Sequence, residues 1–190
     1  QPFMVVAGFR RPHVPLHVPQ KWFDHYPAQN IVLPTVPEDD LDDVPHPEMG
    51  LNFYAAPEHS VLIERKLWSS LVHAYLASIS FVDRCVGEVL DGLDDGPNRN
   101  STIIVFFSDH GFHLGEKQHW AKRTLWEETT RIPLIIAGPG IDRGRRNQPV
   151  GAIDIYPTLC SLMGVKAPGG LDGDSLQPLI QNARFDWKHA

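Results

Sequence analysis

Four side chains in this 190-residue sequence have the residue types of a hydrolytic site built around an anion: Asp109, His110, Lys122 and His13. Asp109 and His110 stand together in Ser108-Asp109-His110-Gly111, directly after the apolar, β-branched run 103–107. A carboxylate and an imidazole are both divalent-metal donors. Lys122 follows in Trp120-Ala121-Lys122, within one loop of the pair, and offers a positive point charge. His13, set between Pro12 and Pro15, adds an imidazole that can give or take a proton near neutral pH. The set suits hydrolysis of a charged ester. A metal ion and a lysine neutralise the anion, and a histidine protonates the leaving oxygen. Taken singly, Asp-His-Gly also reads as a polar turn after a strand, and His13 as a loop imidazole bonded to backbone. The combination carries the reading. His113 and His119 lie in the same loop and are expected to be solvent-facing imidazoles or supporting partners.

Elements must bring these residues together. The run 103–107 is bounded by polar residues and is expected to be a strand buried on both faces. Its carboxyl end is where open α/β sheets place their ligands. Residues 2–8 are expected to form a second buried strand that delivers Arg11-Pro12-His13-Val14-Pro15. Residues 57–95 give the longest helix signal, with Leu67, Leu71, Ala74, Tyr75, Ser78, Val82, Val86, Val89, Leu90 and Leu93 at three- and four-residue spacing. Gly96-Pro97 stops it. Residues 132–137 read as another buried strand and 150–153 as a short edge strand. Asp154 is expected to N-cap a helix over 155–163, with Pro157 in its first turn and Gly164 past its end. Residues 19–57 are proline-rich and aperiodic, a long irregular loop, and the acidic run 38–43 within it is expected to be a solvated face. The basic turn 143–146 is expected to be solvated as well. Strands alternating with helices give the α/β class, a mostly parallel sheet flanked by helices.

Composition is ordinary for a globular chain, 42% hydrophobic and 21% charged. A net charge of −6 argues against nucleic acid or an anionic membrane surface as a general partner. No run is long enough to span a bilayer. Cys85 and Cys160 sit in apolar, helix-like surroundings and read as free thiols. Asn100-Ser101-Thr102 fits a glycosylation acceptor in a secreted eukaryotic setting. The sequence opens in an apolar run without an initiating Met or a signal-peptide pattern, so it is expected to be a fragment whose earlier part is missing.

Ser108-Asp109-His110-Gly111, Leu114-Gly115-Glu116, Trp120-Ala121-Lys122, Arg131-Ile132-Pro133-Leu134-Ile135, Arg11-Pro12-His13-Val14-Pro15 and the 154–159 stretch occur in this order and spacing. In these the chain resembles the sulfatase family of the alkaline-phosphatase-like superfamily, with iduronate-2-sulfatase and its bacterial relatives as the nearest likeness within it. The resemblance runs from about residue 3 to 179. It implies that residues 1–190 are the C-terminal-side portion of a catalytic domain, with the 19–57 loop least securely placed. It further implies that Asp109 and His110 are two ligands of a divalent metal, Ca2+ in most members, and that Lys122 contacts the sulfate. His13 lies beside the sulfate and the leaving oxygen, as acid or anion clamp. Many members carry asparagine where His110 stands, and an imidazole is an unusual ligand for so hard a cation. The family's nucleophile is a formylglycine made from Cys or Ser in a Cys/Ser-x-Pro/Ala-x-Arg context. Neither Cys85-Val-Gly-Glu-Val nor Cys160-Ser-Leu-Met-Gly fits. The family's Asp-Asp metal pair, and the lysine and histidine that follow the nucleophile, are also expected in an upstream segment. The fragment is therefore expected to be inactive alone and to hold a metal weakly. Its implied partners are the remainder of the sulfatase chain and a sulfated small molecule or glycan, and the family suggests an exported, periplasmic or lysosomal setting. Two alternatives remain: a phosphoester or phosphonate hydrolase of the same superfamily, and a non-catalytic remnant that binds sulfated glycans.

Overall fold

The computed structural model describes residues 3–44 and 57–187. The chain divides into two compact units, residues 1–99 with 110–132 and residues 100–109 with 133–190.

The first unit is organised by a long helix. The helical turns α1 (Gln20–Phe23) and α2 (His59–Glu64) precede α3 (Trp68–Asp94). The sequence predicts a single helix here. The chain makes two, because Lys66 takes a left-handed conformation (φ 56°) that a right-handed helix does not accommodate. Val72, on the buried face of α3, joins Leu62 of α2 and Trp120 in a small core, with Leu33, Trp68, Leu71 and Phe112 packed around it. Val89 and Leu90, near the end of α3, stay exposed, since this core gathers on the first half of the helix. The described part of the expected irregular loop is more ordered than predicted. It contains α1 and a 3-10 turn at Ala28–Asn30. It is also tied to α3, where His73 Nε2–H donates to the Phe23 carbonyl at 3.0 Å and the Tyr26 and Ser80 hydroxyls bond at 2.6 Å. The acidic run is not a bare solvated face either: Lys117 Nζ donates to the Asp40 carbonyl at 2.7 Å and pairs with the carboxylates of Asp40 at 3.1 Å and Asp43 at 3.3 Å. Residues 45–56, the rest of that loop, lie outside the described residues.

Four strands follow: β1 (Ile104–Phe107), β2 (His113–Leu114), β3 (Trp120–Ala121) and β4 (Leu134–Ala137). Among the described residues they form two antiparallel pairs, β2–β3 in the first unit and β1–β4 in the second. The expected parallel sheet is not what these residues build. A short apolar run specifies a strand but not its direction. Direction is set by the connection, and Phe107 pairs with Leu134, so the carboxyl end of β1 lies beside the start of β4. Residues 108–133 are thus the connection of an antiparallel pair, and Asp109-His110 opens that connection. Nor are these strands buried on both faces: Phe106, Phe107 and Ile135 are exposed. Residues 3–8 form no strand, and Val6 is 80% exposed. A strand needs a neighbour to take its backbone groups, and the pairs among the described residues are the two just named.

After the short helix α4 (Glu127–Thr130) and β4, the second unit closes with α5 (Ile155–Leu162) and α6 (Gln177–Gln181). Asp154 is expected to cap α5 and does something else. Its carboxylate accepts the Gly151 N–H at 2.7 Å and the Asp174 N–H at 2.9 Å, bracing two loops. The first of these bonds bends residues 152–154 into a 3-10 turn where an edge strand is expected. The Thr158 hydroxyl donates to the Asp154 carbonyl at 2.6 Å and accepts the Leu176 N–H at 2.8 Å, so the start of α5 and the approach to α6 are tied together. Arg146 is likewise not a solvated turn residue: Nε and Nη2 donate to the carbonyls of Leu179 and Ile180 at 2.7 and 3.0 Å, closing the end of α6. Cys85 and Cys160 are free thiols, as expected. Asp154→Ala strands two backbone donors beside a buried position. It is expected to cost about 2–3 kcal/mol in urea unfolding, with Asp154→Asn, which keeps one acceptor, costing less.

Candidate active site

His110 follows Asp109 two residues beyond β1, half-buried where Asp109 is exposed. Its Nδ1–H donates to the Gly111 carbonyl at 2.7 Å. A carbonyl only accepts, so the bond places a hydrogen on Nδ1 and orients the ring. Gly111 is held against α4 by two backbone bonds, Gly111 N–H to Thr129 O at 2.8 Å and Phe112 N–H to Glu128 O at 2.7 Å. A Cβ at Gly111 would lie 2.1 Å from the Glu128 carbonyl oxygen. The glycine of Asp-His-Gly is thus required by close backbone approach.

The β2–β3 hairpin links this end of the loop to Lys122. His113 pairs with Ala121 and Leu114 with Trp120. Lys122 therefore comes one residue past the strand partner of His113, and His113 three residues past His110. Leu114-Gly115-Glu116 forms the reversal. Leu114 N–H donates to Glu116 Oε2 at 2.7 Å and Trp68 Nε1–H to the Leu114 carbonyl at 2.7 Å. Gly115 sits at φ 134°, and a Cβ there would meet His59 at 2.9 Å and Trp68 at 3.0 Å. His59 in turn accepts from Trp120 Nε1–H on Nδ1 at 3.2 Å.

His113 and His119 are buried, not solvent-facing. His113 Nδ1–H donates to the Glu116 carbonyl at 3.1 Å, so Nε2 must accept from the Thr124 hydroxyl at 2.8 Å. Thr124 Oγ1 lies 2.7 Å from Thr129 Oγ1, and the Thr129 hydroxyl is also placed to donate to the Thr124 and Trp126 carbonyls at 3.0 and 3.1 Å, so a hydroxyl network joins α4 to the hairpin. His119 Nε2–H donates to the Lys122 carbonyl at 3.2 Å. Burial lowers the pKa of His113, helped by the neighbouring His119 and opposed by Glu128 and Glu116. Burial lowers that of His119 against the pull of the Lys122 carbonyl. Burial thus favours the neutral form of both rings. No sequence pattern distinguishes such a buried loop imidazole from an exposed one. Thr124, Thr129 and His59, which complete the network, carry no sequence signal at all.

His13 is exposed on its proline-stiffened loop. Its Nδ1–H donates to the Val14 carbonyl at 2.7 Å, which leaves Nε2 to accept or deliver a proton. Arg11 shapes that loop, donating from Nη1 to the His13 carbonyl at 2.9 Å and from Nε to the His17 carbonyl at 3.1 Å. Of the four expected site residues, His13, His110 and Lys122 belong to the first unit and Asp109 to the second. Among the described residues no group of three or more His, Cys, Asp or Glu side chains is placed to hold a metal ion. No helix among them is long and apolar enough to cross a membrane.

Comparison with known proteins places this arrangement. The sulfatase family model matches residues 1–165. A sulfatase of Formosa agariphila is 45% identical over 183 residues, covering 95% of this chain and 36% of that protein. Iduronate 2-sulfatase of Homo sapiens is 31% identical over 209 residues, covering 88% of this chain and 37% of its own length. Among solved structures, a phosphonate monoester hydrolase from Silicibacter pomeroyi superposes with a TM-score of 0.77 at 27% identity, over 94% of this chain and 37% of that one. The chain thus spans little more than a third of the relatives it matches. The family model covers most of the chain, and a sulfatase relative is 45% identical over 95% of it: the chain belongs to the sulfatase family.

Proposed function

We propose that this chain supplies one side of a site that hydrolyses sulfate esters, the other side coming from polypeptide outside residues 1–190. The observation that supports the reading is the hairpin register: His113, three residues past His110, pairs with Ala121, the residue before Lys122, so both ends of the motif loop return to one hairpin. Lys122 pairs its ammonium with the sulfate oxygens. His13, its Nδ1 engaged by the Val14 carbonyl, presents Nε2 as the atom that gives a proton to the leaving oxygen or clamps the anion. Asp109 and His110 fit a divalent cation through a carboxylate oxygen and Nε2; Ca2+ is the family's ion, and bound there it neutralises charge on the ester. Two donors hold a cation weakly, which is consistent with the remaining ligands and the formylglycine nucleophile lying upstream. A sulfated sugar is the substrate class, supported by the likeness to iduronate 2-sulfatase. In the assembled domain β1 is expected to join a larger sheet with helices on its faces. A second reading, phosphonate or phosphoester hydrolysis, is supported by the superposition on the phosphonate monoester hydrolase.

Turnover of 4-nitrophenyl sulfate in the presence of Ca2+ tests the proposal. Residues 1–190 alone are expected to give none above background. The full-length protein is expected to turn the ester over and to lose about 100-fold in kcat on Lys122→Ala. Turnover by the isolated chain, or full-length activity indifferent to Lys122→Ala, overturns it. Faster hydrolysis of a phenyl phosphonate than of the sulfate selects the second reading.

A further inference from the structure

His119 carries an inference that rests on the sulfate-contacting reading of Lys122. Its ring is only 5% exposed although the surrounding loop is polar, and its Nε2–H is spent on the Lys122 carbonyl at 3.2 Å. Lys122 is bracketed by two non-glycine residues in the left-handed region, Ala121 at φ 70° and Arg123 at φ 77°. Each such conformation costs about 1–3 kcal/mol and persists only where the surroundings impose it. At Ala121 the imposing contact is its pairing with His113. Between the two strained residues, the bond from His119 holds the Lys122 peptide itself. His119 is backed by His113, ring centroids 5.1 Å apart at 81°, and His113 is fixed at both nitrogens by Glu116 and Thr124. Packing alone would be served by an apolar side chain at position 119, without burying an imidazole. What the imidazole adds is a donor aimed at one carbonyl.

We propose that His119 is a positioning residue for Lys122: its hydrogen bond to the Lys122 carbonyl, between two left-handed residues, fixes the direction in which the ammonium-bearing side chain leaves the loop. His119 touches no substrate and acts only through Lys122.

The test compares His119→Met with His119→Gln in the full-length protein, each made also in a Lys122→Ala background. Met and Gln have nearly the same length and flexibility, and Gln keeps a donor. Against 4-nitrophenyl sulfate, His119→Met is expected to lower kcat/KM by about tenfold or more, since small misplacements of a site group are costly. His119→Gln is expected to recover most of that loss. In the Lys122→Ala background, exchanging His119 is expected to change kcat/KM by less than about twofold, because coupled positions are not additive. Thermal unfolding midpoints of the Met and Gln variants are expected to agree. An equal loss in both backgrounds, an equal loss for Met and Gln, or no loss for Met overturns the positioning role. So does a loss of activity that merely tracks a lowered midpoint. A Lys122→Ala change that leaves activity intact overturns instead the reading of Lys122 on which the proposal rests.

Discussion

Gly111→Ala is expected to unfold the first unit outright, a loss of at least about 5 kcal/mol, comparable with the whole stability of a small domain. The added Cβ would sit 2.1 Å from the Glu128 carbonyl oxygen and 3.2 Å from the Thr129 Cα. Both neighbours are backbone, so no flexible side chain can swing away. Relief requires moving residues 128–129, which accept the Gly111 and Phe112 N–H groups. Moving them also pulls Thr129 from Thr124, and Thr124 from the buried Nε2 of His113. Three buried or half-buried polar partners are lost for one methyl group. Circular dichroism and urea unfolding of the variant decide the matter. A cooperative transition within about 1 kcal/mol of wild type would show that residues 111–112 and α4 separate without cost. Gly115→Ala is the milder companion, since the atoms its Cβ meets belong to the side chains of His59 and Trp68.

The same loop shows what a sequence discloses and what it withholds. Asp109, His110, Lys122 and His13 stand out in the sequence because their chemistry is unusual in combination, and their roles remain the proposal made above. The existence of β1, β4 and α3 was legible because apolar periodicity follows from burying one face. The antiparallel direction of β1 and β4 was not, because it depends on where a 26-residue connection returns, and periodicity is blind to that. The role of Asp154 was misread for a related reason. A carboxylate before a helix has a local use as a cap, yet this one is turned back to the Gly151 N–H and across to the Asp174 N–H, twenty residues on, and bonds no amide of the helix it precedes. The strand expected at 2–8 is not formed over its described residues 3–8, because strand character is a property of pairs, and Val5 and Val6 have the propensity without a partner strand among the described residues. In each case the local preference was read correctly and the non-local contact decided.

Acid is expected to destabilise the first unit steeply below pH 6.5, the ordinary pKa of the histidines concerned. His59, His113 and His119 are 5%, 0% and 5% exposed. Burial lowers each pKa, and for His59 the attraction of Glu116 offsets only part of that. The hydrogen bonds explain why the neutral form is demanded. Nδ1 of His59 accepts from the indole N–H of Trp120, so a proton there faces an obligate donor, while a proton on Nε2 of His113 would make the Thr124 hydroxyl turn round and accept. In the unfolded chain all three rings bind protons as the pH drops through 6.5, whereas the folded rings bind them only at lower pH. The unfolded state then holds more protons, so stability is fully present above 6.5, falls as pH drops, and levels off once the folded pKa values are passed. Each ring contributes at most about 1.4 kcal/mol per pH unit within that window, so three together approach about 4 kcal/mol per unit. Urea midpoints at pH 7.5, 6.5 and 5.5 are expected to fall only over the lower interval, and His113→Gln is expected to flatten that fall by about a third. A midpoint unchanged down to pH 5.5 would mean that these rings already accept protons in the fold, and that their burial does not favour the neutral form.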